Sequence, residues 1–361
     1  ESEIEWGERV SRNYGSRGFS QNWDHFAADF ETFIADGVPG TLDKIESSIL
    51  LHAHDVDVIK KQNFLRGCEI SMRAFGKMLC MYGEAAEEKA LNACSESAKK
   101  ELLKAAEICK KLEVCRPQSF REALQLVWMV YVAFFYEGRN AMAFGRMDQY
   151  LYPFYKKDVE AGVLTREFAT ELLECTLYKL HEHTILLGGA QVANIAIGGV
   201  DPADGKSSVN ELSYILLDAV LHCNVPGPNL SARLSSDTPD KFLDQCLKVL
   251  GTGLGYPALM NDEVNIPALH RHGYSLYDSR NYCMVGCIEN FIQGRQPPWS
   301  DGRFNNPQYL EYAISNGISM LTGVKGGVST GDVSELKTMS DLIDAFERQI
   351  EYGAAEYVTR F

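Results

Sequence analysis

Apolar residues recur at three- and four-residue spacing through much of residues 26–115, most clearly in NFLRGCEISMRAFGKMLCMYGEAAEEKALNA and SAKKELLKAAEICKKLEV. That period predicts amphipathic helices, and Pro117 closes the region. Ser119 and Glu122 then form a capping-box pattern, with the serine oxygen accepting at the helix start and the glutamate reaching back. The helix they open, over 120–137, is apolar on nearly every face, which predicts burial inside a large protein. A further helix is predicted from Thr165 as N-cap through Leu180. Thr238-Pro239-Asp240 supplies a cap, an N1 proline and an early acid for a helix over 239–251.

Between the helical stretches lie short apolar runs: NIAIGG (194–199), NLSARL (229–234), YPALMN (256–261) and NYCMVG (281–286). Each has the length of a buried strand. Strands alternating with helices predict an α/β architecture built on a mostly parallel sheet. Residues 1–25, rich in Gly, Ser, Asn, Arg and aromatics, read as ordered loop. No repeat, low-complexity tract or linker interrupts the chain, so residues 1–361 are expected to form a single domain.

Composition narrows the class. The chain has 361 residues, 45% of them hydrophobic, enough for a large core. Its formal net charge of −14 disfavours nucleic acid and anionic membrane, both of which need a basic footprint. Ten cysteines lie scattered through helix-like text, which suits reduced thiols in the cytoplasm better than a disulfide-stapled secreted scaffold. The longest apolar run, Leu126 to Tyr136, is too short to span a bilayer, and no signal peptide opens the chain. The start at Glu1 and the end at Phe361, inside helix-like text, read as cut ends.

Candidate chemistry concentrates at NYCMVGCIEN. In α/β folds reactive residues gather at the carboxyl ends of strands. With the predicted strand ending at Gly286 and the backbone staying extended, Cys287 and Glu289 would face one cavity, because residues i and i+2 point the same way. The loop FIQGRQPPWSDGRFN (291–305) follows at once, and such polar-aromatic loops commonly carry function.

An apolar strand followed by Gly-Cys-Ile-Glu resembles the cysteine-loop signature of the glycyl radical enzymes, the pyruvate formate-lyase-like family. The nearest branch is that of glycerol dehydratase, choline trimethylamine-lyase and hydroxyproline dehydratase. GRMDQYLYPFYKKD (145–158), VPGPNLSARL (225–234), GLGYPALMNDEVNIPAL (253–269) and WSDGRFN (299–305) resemble further segments of that branch, in the same order. The resemblance implies part of a ten-stranded α/β barrel whose strands are surrounded by long helices. It implies Cys287 as the thiyl-radical residue and Glu289 as the acid/base. It also implies His25 as the group that hydrogen-bonds the substrate hydroxyl and protonates the leaving group, and Asp301 as a substrate-binding carboxylate. The cofactor implied is a protein-based glycyl radical installed by a radical-SAM activating enzyme, with no metal held by this chain. The implied partners are that activase, a small-molecule substrate and a second copy in a homodimer, in an anaerobic cytoplasm.

Departures from the branch shape the expectation. Asn290 stands where the branch has Pro, and Asn140-Ala141 stand where glycerol dehydratase has His-Ser, which removes a hydroxyl contact and argues against glycerol. Asn140 stays a candidate substrate contact. Pyruvate formate-lyase has two adjacent catalytic cysteines, whereas Cys287 is flanked by Gly286 and Ile288. The family's RVxGY radical loop does not occur, so this stretch alone is expected not to generate a thiyl radical. Arg17 and Gln21 are candidate contacts for an anionic substrate; Trp299 and Phe291 are candidate pocket walls, with core packing the alternative.

Competing motifs are weaker. Cys283 and Cys287 form CxxxC, but position 290 is Asn, not the third cysteine of a cluster motif. His52/His54 and His181/His183 lie in helix-like text, where i,i+2 side chains diverge. Gly198-Gly199 lacks a GxGxxG-to-helix pattern. Three functions stay open: a radical lyase of C–O, C–N or C–S bonds, foremost a dehydratase; a radical arylacetate decarboxylase; and a non-catalytic scaffold fragment.

Overall fold

The computed structural model describes residues 22–139, 141–187, 193–301 and 304–359. The chain divides into two compact units, one Asp24–Pro298 and the other built on Trp299–Phe361.

In the larger unit a helical layer comes first. The helices Phe30–Leu51, Val58–Leu91 and Glu96–Val114 pack together, then Phe120–Tyr136 runs through the core with ten buried side chains. Its burial follows from its sequence, since it has no polar face to offer water. The cap at its start differs from the predicted reciprocal box. Ser119 Oγ accepts from Glu122 N as expected, but the Glu122 carboxylate takes the N–H of Gln118, one residue earlier, and Lys111 Nζ at 2.7 Å.

The strands are β1 (Asn22–Ala27), β2 (Met142–Ala143), β3 (Gly145–Arg146), β4 (Asn194–Gly198), β5 (Asn229–Leu234), β6 (Ala258–Asn261), β7 (Tyr282–Val285) and β8 (Glu289–Ile292). Strand β1 pairs parallel with β2, and β3-β4-β5-β6 form a parallel sheet in chain order. The helices Arg166–Leu187, Glu211–Cys223 and Asp240–Leu250 make the crossovers and pack side by side. Strand β4 is buried at every residue, the signature of a sheet covered on both faces. The α/β expectation holds.

Four local expectations are corrected. Residues 22–25, read as loop, belong to β1. The predicted helix 239–251 is Asp240–Leu250, with Pro239 at the cap. Thr238 Oγ1 instead accepts from Ser235 N, because that turn satisfies it first. Strand β7 is not a further parallel strand: it turns back through Gly286-Cys287-Ile288 and pairs antiparallel with β8. The stretch from 291, read as loop, therefore begins inside β8.

In the smaller unit the helices Asn306–Ile314 and Met339–Thr359 pack on each other. The buried Gln349 side chain joins them by donating to Tyr312 O and Val328 O and accepting from Val328 N. The strand β9 (Trp299–Asp301) belongs to this unit. Among the described residues no helix is long and apolar enough to cross a membrane.

Candidate active site

The hairpin β7–β8 packs on β3 and β4. Its base is built on buried charge. Arg233 on β5 and Asp262, just after β6, are 0% and 1% exposed and meet in a two-pronged pair at 2.9 and 2.8 Å. The same guanidinium donates to Tyr282 O at 2.7 Å and Arg280 O at 2.8 Å, and lies 3.9 Å from the centre of the Tyr282 ring. Tyr282 Oη donates to Asp262 at 2.7 Å. Removing Arg233 or Asp262 would leave the other charge buried and uncompensated, so the pair holds the entry to β7 in one arrangement. Gly199 makes room for it: its φ is +78°, and a Cβ there would sit 2.7 Å from Arg233 Nε.

A second buried arginine works beside it. Arg146 on β3 donates to Asn281 Oδ1 at 3.0 Å, to Val200 O at 2.8 Å and to Ser208 Oγ at 2.8 Å. Burial, then the positive Arg233 nearby, lower its pKa to about 10, which still leaves it charged at neutral pH. Asp148 accepts from Gly198 N and Ser213 Oγ, and burial raises its pKa.

The tip is built differently. Val285 and Glu289 are the last paired residues, so Gly286, Cys287 and Ile288 form a three-residue loop. Cys287 is exposed at its apex and Glu289 opens the returning strand. The two residues are thus separated by a turn and do not follow one another along an extended strand. Gly286 has φ +54°, a left-handed conformation that glycine adopts freely. A Cβ on it would lie 2.7 Å from His25 Nε2 and 2.9 Å from Glu289 Oε2. The missing side chain therefore lets an imidazole and a carboxylate flank the residue before Cys287. His25, near the end of β1, is 8% exposed. Glu289 Oε2 accepts from Ile288 N at 3.0 Å, which holds the carboxylate back against its own loop. Two asparagines hold the loop backbone: Asn229 Nδ2 donates to Gly286 O at 3.1 Å and Asn194 Nδ2 to Cys287 O at 3.2 Å.

The structure therefore brings His25 and Glu289 to Gly286, the residue before the exposed Cys287. Phe291, expected as a pocket wall, is 1% exposed and belongs to the hydrophobic core. Arg17, Gln21 and Asn140 lie outside the described residues, as do the side chains of Trp299 and Asp301. His52 pairs with Asp55 at 2.7 Å, and His183 packs among the rings of Trp128, Tyr131 and Phe135. Cys283 is fully buried in β7, and burial pushes its thiol up to about 12. Sequence reasoning missed Arg146, Arg233, Asp262, Asn194 and Asn229 as site-building residues. The available signal was polar residues set inside apolar strand text, as in NLSARL and NIAIGG.

A parallel α/β sheet carrying a cysteine-tipped hairpin defines the class of protein. A model of the family described as pyruvate formate lyase-like matches residues 16–360, and the chain belongs to that family. It is 28% identical over 97% of its length to (2S)-3-sulfopropanediol dehydratase of Klebsiella oxytoca, covering 45% of that protein. It is 33% identical over 83% of its length to trans-4-hydroxy-L-proline dehydratase of Clostridioides difficile, covering 39% of it. The solved structure of the glycerol-bound B12-independent glycerol dehydratase from Clostridium butyricum superposes with a TM-score of 0.84 at 30% identity, over 98% of this chain and 47% of that one. The chain thus spans about half the length of the relatives it matches.

Proposed function

We propose that the protein is a glycyl radical lyase, foremost a dehydratase, that breaks a C–O bond next to a hydroxyl-bearing carbon of a small substrate. The observation that carries this reading is the convergence of His25 and Glu289 on Gly286, beside the exposed Cys287. The named dehydratases among its relatives support the reaction class.

In this reading a glycyl radical, installed by a radical-SAM activating enzyme, supplies hydrogen-atom abstraction from the Cys287 thiol. The Cys287 sulfur then takes a hydrogen atom from the hydroxyl-bearing carbon. Glu289 accepts the hydroxyl proton, so that a carbonyl forms as the neighbouring C–O bond breaks. His25 donates a proton to the departing hydroxide, which leaves as water. Cys287 returns its hydrogen atom to the carbon that lost the leaving group, and the cycle closes with no net redox change. C–N and C–S leaving groups fit the same sequence. Ala141, where a glycerol dehydratase has a serine, argues for a substrate other than glycerol. Asp301, Asn140, Trp299, Arg17 and Gln21 are proposed to complete the substrate pocket. The reading carries with it a homodimer and an anaerobic cytoplasm, where oxygen does not quench the radical and the thiols stay reduced.

The test is Cys287→Ala in the full-length protein after anaerobic activation, assayed against small vicinal diols, hydroxy-sulfonates and hydroxyproline. Turnover is expected to vanish while the glycyl radical signal persists; retained turnover would sink the reading.

A further inference from the structure

We propose that Asn194 and Asn229 are positioning residues that fix where the Cys287 sulfur can reach. This rests on the reading of Cys287 as the hydrogen-transferring residue. The two asparagines open β4 and β5, which run parallel, and they stand directly opposite each other in the register. Neighbouring strands are about 4.8 Å apart, so the two amides reach out side by side. Their targets are consecutive carbonyls, Gly286 O at 3.1 Å and Cys287 O at 3.2 Å.

Those carbonyls belong to the two peptide planes on either side of the Cys287 Cα. With both planes held, the backbone at Cys287 is set, and the sulfur keeps only rotation about χ1, with its three staggered wells. Carbonyls at a three-residue loop lie beyond the last ladder pair, Val285↔Glu289. Among the described residues the two amides supply the hydrogen bonds that these carbonyls accept.

The clamp is itself braced. Ser231 lies two residues beyond Asn229 on β5, on the same face, and its Oγ donates to Asn194 Oδ1 at 3.1 Å. That bond sets which end of the Asn194 amide faces Cys287. Asn194 and Ser231 are both 0% exposed, so neither exchanges this partner for water. The clamp is also neutral. A lysine or arginine there would draw the thiol toward thiolate, whereas hydrogen-atom transfer uses the S–H bond. Transfer of this kind is sensitive to placement, since a displacement of about 1 Å can cost roughly 100-fold in rate.

The test uses the full-length protein, activated anaerobically, with Asn194→Ala, Asn229→Ala, the double variant, Ser231→Ala and Ser231→Thr. Each asparagine variant is expected to lose roughly 10- to 100-fold in kcat, with KM within about twofold of the parent. The glycyl radical signal should match the parent, the fall in melting temperature should be small beside the loss of rate, and the substrate deuterium isotope effect on kcat should rise. Ser231→Ala should lose a few-fold, and Ser231→Thr, which keeps the hydroxyl, should restore the parent rate. A second measurement needs no turnover. A nitroxide label on Cys287, with Cys94, Cys115 and Cys175 changed to serine, should become more mobile in the double variant. Parent-like kcat in the double variant would overturn the proposal, as would unchanged label mobility. A rate loss that only tracks lost radical or lowered melting would overturn it too. Turnover by Cys287→Ala would instead count against the lyase reading, while the label still reports on the clamp.

Discussion

The base and the tip of one hairpin are held by opposite means. At the base, Arg233 and Asp262 are buried and paired, and the tyrosine that opens β7 is pinned by charge from two sides. At the tip, four residues further on, the partners are neutral amides and a backbone N–H. Among the described residues neither Cys287 nor Glu289 takes part in an ion pair. Charge gives the base rigidity. At the tip, among the described residues, hydrogen bonds from neutral donors hold the loop instead. The two cysteines make the same contrast: Cys283 is sealed in the base and Cys287 is presented at the tip.

The largest expected difference is between those thiols. With its thiol pushed up to about 12, Cys283 stays protonated at pH 8, with a thiolate fraction of roughly 10⁻⁴. Each pH unit upward multiplies that fraction about tenfold, but burial still bars the reagent. Iodoacetamide labelling followed by mass spectrometry should modify Cys287, Cys94 and Cys115 and spare Cys283 until the protein unfolds. Comparable labelling of Cys283 and Cys287 in the native state would erase the contrast.

Next is Arg233→Met, which strands the Asp262 carboxylate in the interior. Chemical denaturation should show a loss of about 3–5 kcal/mol, the usual result of breaking a buried pair from one side. Arg233→Met with Asp262→Leu should recover much of it, because then no charge is stranded. A loss under about 1 kcal/mol for the single variant would mean the base is not held by charge.

Gly286→Ala probes the junction of the two regions. A left-handed alanine costs about 1–2 kcal/mol, and its Cβ would press on His25 and Glu289. The expected loss is about 2 kcal/mol or slightly more, with a shift in the His25 ring resonances by NMR. A neutral outcome would show that the imidazole and carboxylate do not need that glycine.

Much of this was legible in the sequence, and the failures are physical. NLSARL is β5 residue for residue, and the helix 120–137 ends one residue from its predicted end, because both follow from hydrophobic period alone. The reversal at 286–288 was not legible. A three-residue loop carries little turn signal beyond one glycine, and apolar text on both sides reads equally well as one strand. The buried role of Arg233 was hidden for another reason. Its partner Asp262 is 29 residues away, and only the parallel pairing of β5 with β6 brings them together. The Asn194–Asn229 register depends in the same way on β4 lying beside β5. Period reports which residues are buried, while the identity of a partner across strands is a property of topology.

The smallest expected effect on stability is the one that separates the regions most cleanly. Asn229→Ala removes one neutral hydrogen bond from a half-buried side chain to Gly286 O. Such a bond contributes about 0.5–1.5 kcal/mol, and water can replace part of it here. Denaturation should therefore show a loss of about 1 kcal/mol or less, well below that of Arg233→Met. The same substitution is expected to lower turnover far more than that loss would suggest. A contact that contributes little to folding can still matter to chemistry if it governs where one sulfur atom sits. If Asn229→Ala instead destabilised the protein as much as Arg233→Met, the tip would be structural in the same sense as the base, and the division between them would fail.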